Sequence, residues 1–223
     1  MYKTKDLYDL EKTIAEPLLR DCEYPWQALS EIGDFIEEFS KSFSADEYDS
    51  PAQGVFIAKS ATVAPSAAIV GPCIICDGAQ VRHCAFIRGN AIVGKNAVVG
   101  NSTELKNVIL FDGVQVPHYN YVGDSILGHG AHMGAGSITS NVKSDKTLVS
   151  VKCGEEKIDT GLKKVGAMLG DGVEIGCNSV LNPGCVVGCG SMVYPLSSVR
   201  GVVPEGCIYK SDKELVRKDK GNR

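Results

Sequence analysis

The stretch that decides the fold runs from Ile75 to Leu105 and reads ICDGAQ VRHCAF IRGNAI VGKNAV VGNSTE L when it is divided into sixes. Each block opens with an aliphatic residue, and a small side chain follows four positions later. The same phase includes Ile57, Val63 and Ile69, and after a break the period of six resumes at Leu169, Ile175, Leu181, Val187, Val193 and Val199. A helix would repeat at 3.6 residues and a two-faced strand at 2. A period of six instead predicts an all-β fold, a three-sided parallel β-helix of hexapeptide repeats with three hexapeptides per coil.

Three other segments frame the predicted coils. Residues 1–50 show helical spacing interrupted by prolines, with an amphipathic pattern from Ile32 to Phe39, and predict a helical arm or cap. Residues 51–209 form the β-helix, and residues 140–164 interrupt its phase. Within that interruption, Leu148–Val151 and Lys157–Asp159 flank a glycine turn, which predicts a hairpin-like loop insertion. The charged tail, residues 210–223, is expected to fray.

Composition narrows the classes of function. The chain has 23 basic and 27 acidic residues and a net charge of −4, which argues against a broad nucleic-acid-binding face. No apolar run has the length of a signal peptide or a membrane span, so we expect a cytoplasmic protein without membrane contact. Nine cysteines are then expected to be free thiols, because Cys73-x-x-Cys76 has no second pair at zinc-ribbon spacing.

Two cations suggest an anion site. Arg88 and Lys106 are eighteen residues apart, so they should stack on successive coils, roughly 4.8 Å apart. Such a pair is unfavourable unless an anion such as a phosphate joins it; the alternative is two solvated cations that splay apart. The phase slips once at Leu110, which places Gly123 above Lys106 and Tyr121 beside it.

A histidine lies near the same corner of the predicted coil. The imidazole of His118 could take a proton from an amine that attacks a carbonyl. The competing hypothesis is a three-histidine zinc site of the carbonic anhydrase type. That site needs two histidines five residues apart, whereas His118 is followed at that distance by Gly123, and His129 and His132 are three apart. We therefore predict that no metal is bound.

Four stretches carry a resemblance to a known family. They are RGNAIVG from Arg88, VGNSTELKN from Val99, HYNYVGD from His118 and GAGSITSN from Gly134. Together they resemble the C-terminal acetyltransferase domain of bacterial bifunctional UDP-N-acetylglucosamine pyrophosphorylases. The stretch Thr160 to Gly176 resembles archaeal sugar-nucleotidyltransferase fusions instead. The resemblance implies a left-handed coil and a homotrimer with composite sites.

The resemblance also implies roles for individual residues. Arg88 and Lys106 would hold the phosphate of glucosamine 1-phosphate, and Tyr121 would contact the sugar phosphate. His118 would be the general base, and Asn141 would position the amine and the acyl group. Ala135 would line the coenzyme A site, with the amides of the Gly134-Ala135-Gly136 turn beside it. The sequence departs from the family at His132, where a sugar-contacting asparagine is expected, and at Val142, where the family has tyrosine.

These observations imply an N-acetyltransferase that moves acetyl from acetyl-CoA to the amine of a hexosamine 1-phosphate, in UDP-N-acetylhexosamine biosynthesis. No glycine-rich nucleotide loop precedes the coils, so uridylyl transfer is not assigned to these residues and a separate nucleotidyltransferase is a potential partner. The rival hypothesis is a non-catalytic scaffold or regulatory subunit that pairs with such an enzyme. An intact His118 favours catalysis, whereas His132 and Val142 favour the scaffold.

Overall fold

The computed structural model describes residues 1–211 and 214–218. Its helices are short: α1 (Thr4–Leu7), α2 (Glu16–Arg20) and α3 (Ile32–Phe39), with 3₁₀ turns at Leu10–Lys12, Pro25–Ser30 and Ser40–Ser42. Helix α3 is the predicted amphipathic helix, and it buries Ile32 and Ile36. The periodic stretch before it forms only single turns, because Pro17 and Pro25 can occupy the first turn of a helix but not its interior.

The remaining chain winds into a parallel β-helix with three flat faces. Face A comprises β2 (Val55–Ala58), β5 (Cys73–Ile75), β8 (Ala91–Val93), β17 (Ala167–Leu169), β20 (Cys185–Val187) and β23 (Val202–Val203). Face B comprises β3 (Thr62–Val63), β6 (Gln80–Val81), β9 (Val98–Asn101), β11 (Gln115–His118), β13 (His132–Met133), β18 (Glu174–Ile175), β21 (Met192–Val193) and β24 (Cys207–Ser211). Face C comprises β4 (Ala68–Val70), β7 (Phe86–Arg88), β14 (Ile138–Thr139), β19 (Val180–Leu181) and β22 (Ser198–Val199). Strands β10 (Glu104–Leu110) and β12 (Tyr121–Leu127) begin on face C and end on face A.

The strand registers confirm the hexapeptide prediction. Cys73 lies opposite Ala91, eighteen residues on, as three hexapeptides per coil require. The predicted phase slip is also present, since Lys106 lies opposite Gly123. The slip removes one residue at the corner between faces C and A, where Asn107 and Asp124 adopt positive φ angles of 56° and 47°. Asparagine and aspartate tolerate this conformation better than other side chains, which allows a single residue to turn the corner.

The insertion leaves the coil where the phase breaks. Val165 donates its N–H to the Asn141 carbonyl at 3.0 Å, so the segment departs and returns at one point on the edge between faces C and A. Its centre is an antiparallel hairpin of β15 (Ser150–Cys153) and β16 (Glu156–Asp159), as the sequence predicted. The hairpin packs back on the coil, because Val149 and Val151 are fully buried.

The prediction for the C-terminal tail is wrong in part. Strand β25 (Glu214–Arg217) pairs antiparallel with β24 and adds one strand to face B. The strand forms because its backbone groups find partners on the open edge of face B. The rest of the expected fraying segment, residues 212–213 and 219–223, lies outside the described residues.

Face A carries a second line of aliphatic side chains that points outward. On each coil the middle residue of the strand faces away from the prism, and its neighbours above and below are again aliphatic. We call these residues the outer stripe: Phe56, Ile74, Ile92, Ile109, Ile126, Met168, Val186 and Val202. All but the two end members are fully buried. Something must therefore cover face A along its length.

The cover is the N-terminal segment, residues 1–47, which we call the arm. It runs antiparallel to the growth of the coils: Tyr2 accepts a hydrogen bond from the Glu205 amide, and the Lys12 carbonyl accepts one from Asp112. Trp26 is 2% exposed, and α3 contacts β5, β8 and β10. The arm ends in β1 (Tyr48–Ala52), which pairs antiparallel with β2 and closes the first coil. Among the described residues, no helix combines the length and apolarity needed to cross a membrane.

Candidate functional site

Asp124 organises a polar cluster at the edge between faces C and A. The Asp124 residue is 4% exposed, and its carboxylate accepts hydrogen bonds from Lys106 Nζ at 3.2 Å and from Asn107 Nδ2 at 3.0 Å. A third donor, Asn141 Nδ2, lies 2.5 Å away. We call Lys106, Asn107, Tyr121, Asp124 and Asn141 the Asp124 cluster. A buried carboxylate needs this many donors, because its desolvation is otherwise costly.

Tyr121 and Asn141 are brought together within this cluster. The Tyr121 hydroxyl accepts a hydrogen bond from Asn141 Nδ2 at 3.2 Å, which leaves the hydroxyl proton available to another acceptor. Burial raises the pKa of Tyr121 above its usual value, so the hydroxyl is a neutral donor at physiological pH. Both N–H groups of Asn141 are directed at Tyr121 and Asp124. Of the side-chain amide of Asn141, the oxygen remains to accept a hydrogen bond from a bound molecule.

Arg88 has a carboxylate of its own. The register places Leu105 beside Ile87, and therefore Lys106 beside Arg88, as the eighteen-residue spacing predicted. The two cations do not share one anion, because Arg88 Nη1 lies 2.7 Å from Glu104 and Lys106 lies beside Asp124. The hydrogen bond that Arg88 donates to Glu104 raises the pKa of Arg88. The argument that the stack requires a phosphate is thus wrong, since two carboxylates of the chain already compensate it.

His118 stands apart from the Asp124 cluster, at the edge between faces B and C. It is exposed, and it ends β11 three residues before Tyr121 begins β12. Within the part of the chain that the structure describes, the His118 ring has no hydrogen-bonding partner. The other three imidazoles are held: His83 by Ser66, His129 by the Asp112 carbonyl and His132 by Glu174. Among the described residues, His118 is therefore the imidazole with no hydrogen-bonding partner at either ring nitrogen.

The predicted coenzyme A turn lies one coil above His118. The Gly134 N–H donates to Ile175 at 2.7 Å, and the Gly136 N–H donates to the His118 carbonyl at 3.0 Å. These two amides are committed to coil stacking, so among the described residues only the Ala135 amide of this turn remains to donate to a bound molecule. His132 lies on β13, three residues before Ala135, and its ring faces Glu174 at 2.8 Å. The structure thus separates His132 from Tyr121 and Asn141.

Cysteines and metal ligands do not converge. All nine cysteines are unpaired, and Cys73, Cys76, Cys185 and Cys207 are buried as apolar side chains. Burial raises the pKa of Cys76 and of Cys185 to about 12, which keeps both as inert thiols. Among the described residues, no group of three or more potential ligands is placed to hold a metal ion.

Two residues of the site were missed from the sequence. Glu104 and Asp124 lie sixteen and eighteen residues after the cations that they contact, Arg88 and Lys106. The coil length that stacked the two cations also places these carboxylates within reach. The eighteen-residue coil length was therefore enough to predict these two carboxylates, but we used it only to find neighbouring cations.

The family of the chain follows from its match to a known domain. The model of the family described as "GMPPB C-terminal domain" matches residues 52–186, more than half of the chain. The chain belongs to this family. The GMPPB C-terminal match includes every candidate residue described above, from Arg88 to Asn141.

Curated relatives of this GMPPB C-terminal chain are bifunctional proteins. A bifunctional sugar-1-phosphate nucleotidylyltransferase/acetyltransferase of Sulfurisphaera tokodaii is 33% identical over 109 residues, covering 49% of this chain and 27% of that protein. The bifunctional protein GlmU of Methanococcus vannielii is 34% identical over 119 residues, covering 53% of this chain and 28% of that protein. The chain thus matches little more than a quarter of the length of these relatives.

Solved acetyltransferases are more distant. The polySia-specific acetyltransferase NeuO is 13% identical with a TM-score of 0.45, over 77% of this chain and 93% of that one. A hexapeptide transferase family protein from Anaplasma phagocytophilum is 17% identical with a TM-score of 0.43, over 76% of this chain and 82% of that one. The acetyltransferase domain of PglB from Neisseria gonorrhoeae, solved with acetyl coenzyme A, is 16% identical with a TM-score of 0.31, over 74% of this chain and 57% of that one.

Proposed function

We propose that the chain is an N-acetyltransferase that uses acetyl-CoA and the amine of a hexosamine 1-phosphate, such as glucosamine 1-phosphate. The observation that carries the proposal is the free, exposed ring of His118 at the end of a strand that leads to Tyr121 and Asn141. Curated relatives whose names combine sugar-1-phosphate and acetyltransferase chemistry support the choice of substrates. A homotrimer with sites between neighbouring prisms, working in the cytoplasm beside a nucleotidyltransferase, belongs to the same proposal.

The reaction needs one proton acceptor and one positioned amine. As the amine nitrogen bonds to the thioester carbonyl carbon, His118 takes the proton that the nitrogen loses. The carbon–sulfur bond then breaks and coenzyme A leaves as the thiol after protonation. The Asn141 amide oxygen would accept a hydrogen bond from the amine, and the Tyr121 hydroxyl would donate one to the sugar phosphate. Arg88 would exchange its exposed Glu104 partner for the phosphate, which costs little because exposed ion pairs are weak.

A second candidate is a non-catalytic subunit of a sugar nucleotidyltransferase. The observation that favours it is the internal compensation of Arg88 by Glu104 and of Lys106 by Asp124. A site whose cations are already neutralised has lost part of its attraction for a sugar phosphate. In this case the β-helix would serve as an assembly or regulatory surface.

Release of free thiol from acetyl-CoA in the presence of amino-sugar 1-phosphates separates the two candidates. We expect turnover with glucosamine 1-phosphate and much less with unphosphorylated glucosamine. His118→Asn should lower kcat by roughly 10² to 10⁴ with little change in KM, as expected for loss of a general base. Absence of thiol release with every acceptor would favour the non-catalytic subunit.

The chain offers a matched control for this variant. Asn101 lies opposite His118, and the Asn101 side chain bonds to the carbonyl of His83, so His83 occupies the same edge two coils earlier. Its ring is also exposed, but it lies roughly 10 Å away along the stack. His83→Asn should therefore keep full turnover. An equal loss of turnover in both variants would mean that replacing any exposed histidine on this edge has the same effect. His118 would then have no specific role in proton transfer, and the proposal would be withdrawn.

A further inference from the structure

A cleft separates the inserted hairpin from the edge between faces C and A. Its volume is about 210 Å³, and Lys143, Lys152 and Arg200 line it together with Ser150 and Asn182. None of the described residues that line the cleft is acidic. It lies on the same edge as the Asp124 cluster but on later coils, because Asn182 and Arg200 follow β19 and β22.

The cations of this cleft differ from those at the predicted phosphate site. Arg88 and Lys106 each contact a carboxylate, whereas Lys152 and Arg200 have no ion-pair partner within the described ranges 1–211 and 214–218. The third cation, Lys143, lies 3.5 Å from Asp145. A second carboxylate, that of Asp159, accepts a hydrogen bond from the lining residue Ser150 and is paired with Lys157. Three positive charges around one small volume thus face two exposed carboxylates, and one of these is shared with a fourth cation. This excess of positive charge attracts an anion to the cleft.

Close backbone packing builds the walls of the cleft. A Cβ atom at Gly201 would lie 2.8 Å from the carbonyl oxygen of Lys152, and one at Gly184 would lie 2.9 Å from a methyl group of Val149. Both glycines have positive φ angles, 72° and 75°, that other residues rarely adopt. Glycine at these corners lets the hairpin lie directly against the coil. Lys152 and Arg200 are thereby carried on elements that pack on each other.

We propose that this cleft binds a phosphate or pyrophosphate group of an anionic ligand. A volume of about 210 Å³ is smaller than the roughly 300–1,000 Å³ of pockets that enclose whole ligands. The cleft therefore suits the phosphate or pyrophosphate group of a ligand whose remainder lies outside it. Arg200 supplies planar paired donors and the two lysines supply mobile point charges, a combination that suits phosphate oxygens. Arg200 also lies beyond residues 52–186, so the cleft is completed outside the matched domain.

Calorimetric titration with inorganic pyrophosphate at low ionic strength tests the site in the full chain. Loss of a charge-assisted hydrogen bond should weaken binding roughly tenfold to a hundredfold in Lys152→Ala and again in Arg200→Ala. The control is Lys59→Ala. Lys59 is an exposed lysine at the first coil that lies 3.9 Å from Asp49, and neither residue lines the cleft. This variant removes one positive charge away from the cleft and should bind within about twofold of wild type.

Further titrations identify the source of the phosphate. Coenzyme A, 3′-dephosphocoenzyme A and glucosamine 1-phosphate are each titrated into wild type and the Lys152→Ala/Arg200→Ala double variant. Weaker binding of either coenzyme A form or of the sugar phosphate to the double variant supports the site and names its ligand. The proposal is overturned if wild type does not bind pyrophosphate, if Lys59→Ala loses as much affinity as Lys152→Ala, or if binding survives in the double variant. Binding that survives there but is lost in Arg88→Ala would place the anion at Arg88, as the proposed function requires.

Discussion

Lys106 and Arg88 should respond in opposite ways to the same substitution. Lys106 Nζ lies 3.2 Å from the Asp124 carboxylate, whose side chain is 5% exposed. Lys106→Ala removes a hydrogen bond between charged groups and leaves a buried carboxylate with amide donors alone, at a cost of about 1.5–3 kcal/mol. In a chain of this size, each kcal/mol shifts the melting temperature by about 2–4 °C. We therefore expect Tm to fall by about 3–12 °C.

Arg88→Ala should leave Tm essentially unchanged. The Arg88 and Glu104 side chains are 47% and 34% exposed, so water solvates both charges when the pair is broken. In the thiol-release assay, by contrast, Arg88→Ala should have a clear effect. It should raise KM for the sugar phosphate with kcat retained. Thermal melts of the two variants and of Lys106→Ala/Asp124→Asn complete the experiment. The double variant should lose less than the sum of its single variants, because a neutral amide no longer needs the ammonium group. Equal losses of Tm for Arg88→Ala and Lys106→Ala, or strict additivity, would refute this assignment of roles.

Three further predictions concern thiols, packing and assembly. Denatured, unreduced protein should titrate nearly nine thiols, whereas a thiol reagent at pH 8 should label native Cys84 and Cys177 first, because burial keeps the pKa of Cys185 near 12. Trp26→Ala should destabilise the fold by about 3–5 kcal/mol in denaturant titrations, whereas Val70→Ala, at a residue that is 53% exposed, should change little. Light scattering should give about three times the 23.7 kDa chain mass, and a monomer at micromolar concentration would contradict the proposed trimer.

The period of six predicted the coils well, because one inward aliphatic per face is a requirement that no other fold imposes at that spacing. It predicted even the register of Lys106 against Gly123. The outer stripe was overlooked, although Ile74, Ile92 and Ile109 repeat at coil spacing and face outward. The path of the arm could not be predicted in the same way. Its turns are too short for helical periodicity, and its contacts join residues far apart in sequence.

The contacts of Asp124 with Lys106, Asn107 and Asn141 could not be predicted from the sequence either. Coil spacing can state which residues are neighbours, but it cannot state which rotamer each one selects. Lys106 could extend toward Arg88 across the strands or toward the corner, and the buried carboxylate of Asp124 decides the outcome. The arm also contributes to this cluster, because Asn107 Nδ2 donates a second hydrogen bond to the carbonyl of Leu29 at 3.1 Å.

The arm runs antiparallel to the growth of the coils, so its packing on face A can be completed only after the last coil has been synthesised. The arm is translated before the coils, but Tyr2 bonds to Glu205, a residue made two hundred positions later. Until the last coil emerges from the ribosome, the isoleucines of face A have only part of their cover, and the arm has only part of its binding surface. Contacts across such sequence distances close slowly. A nascent chain therefore carries an exposed aliphatic ridge through most of its elongation, the circumstance in which general chaperones engage their clients.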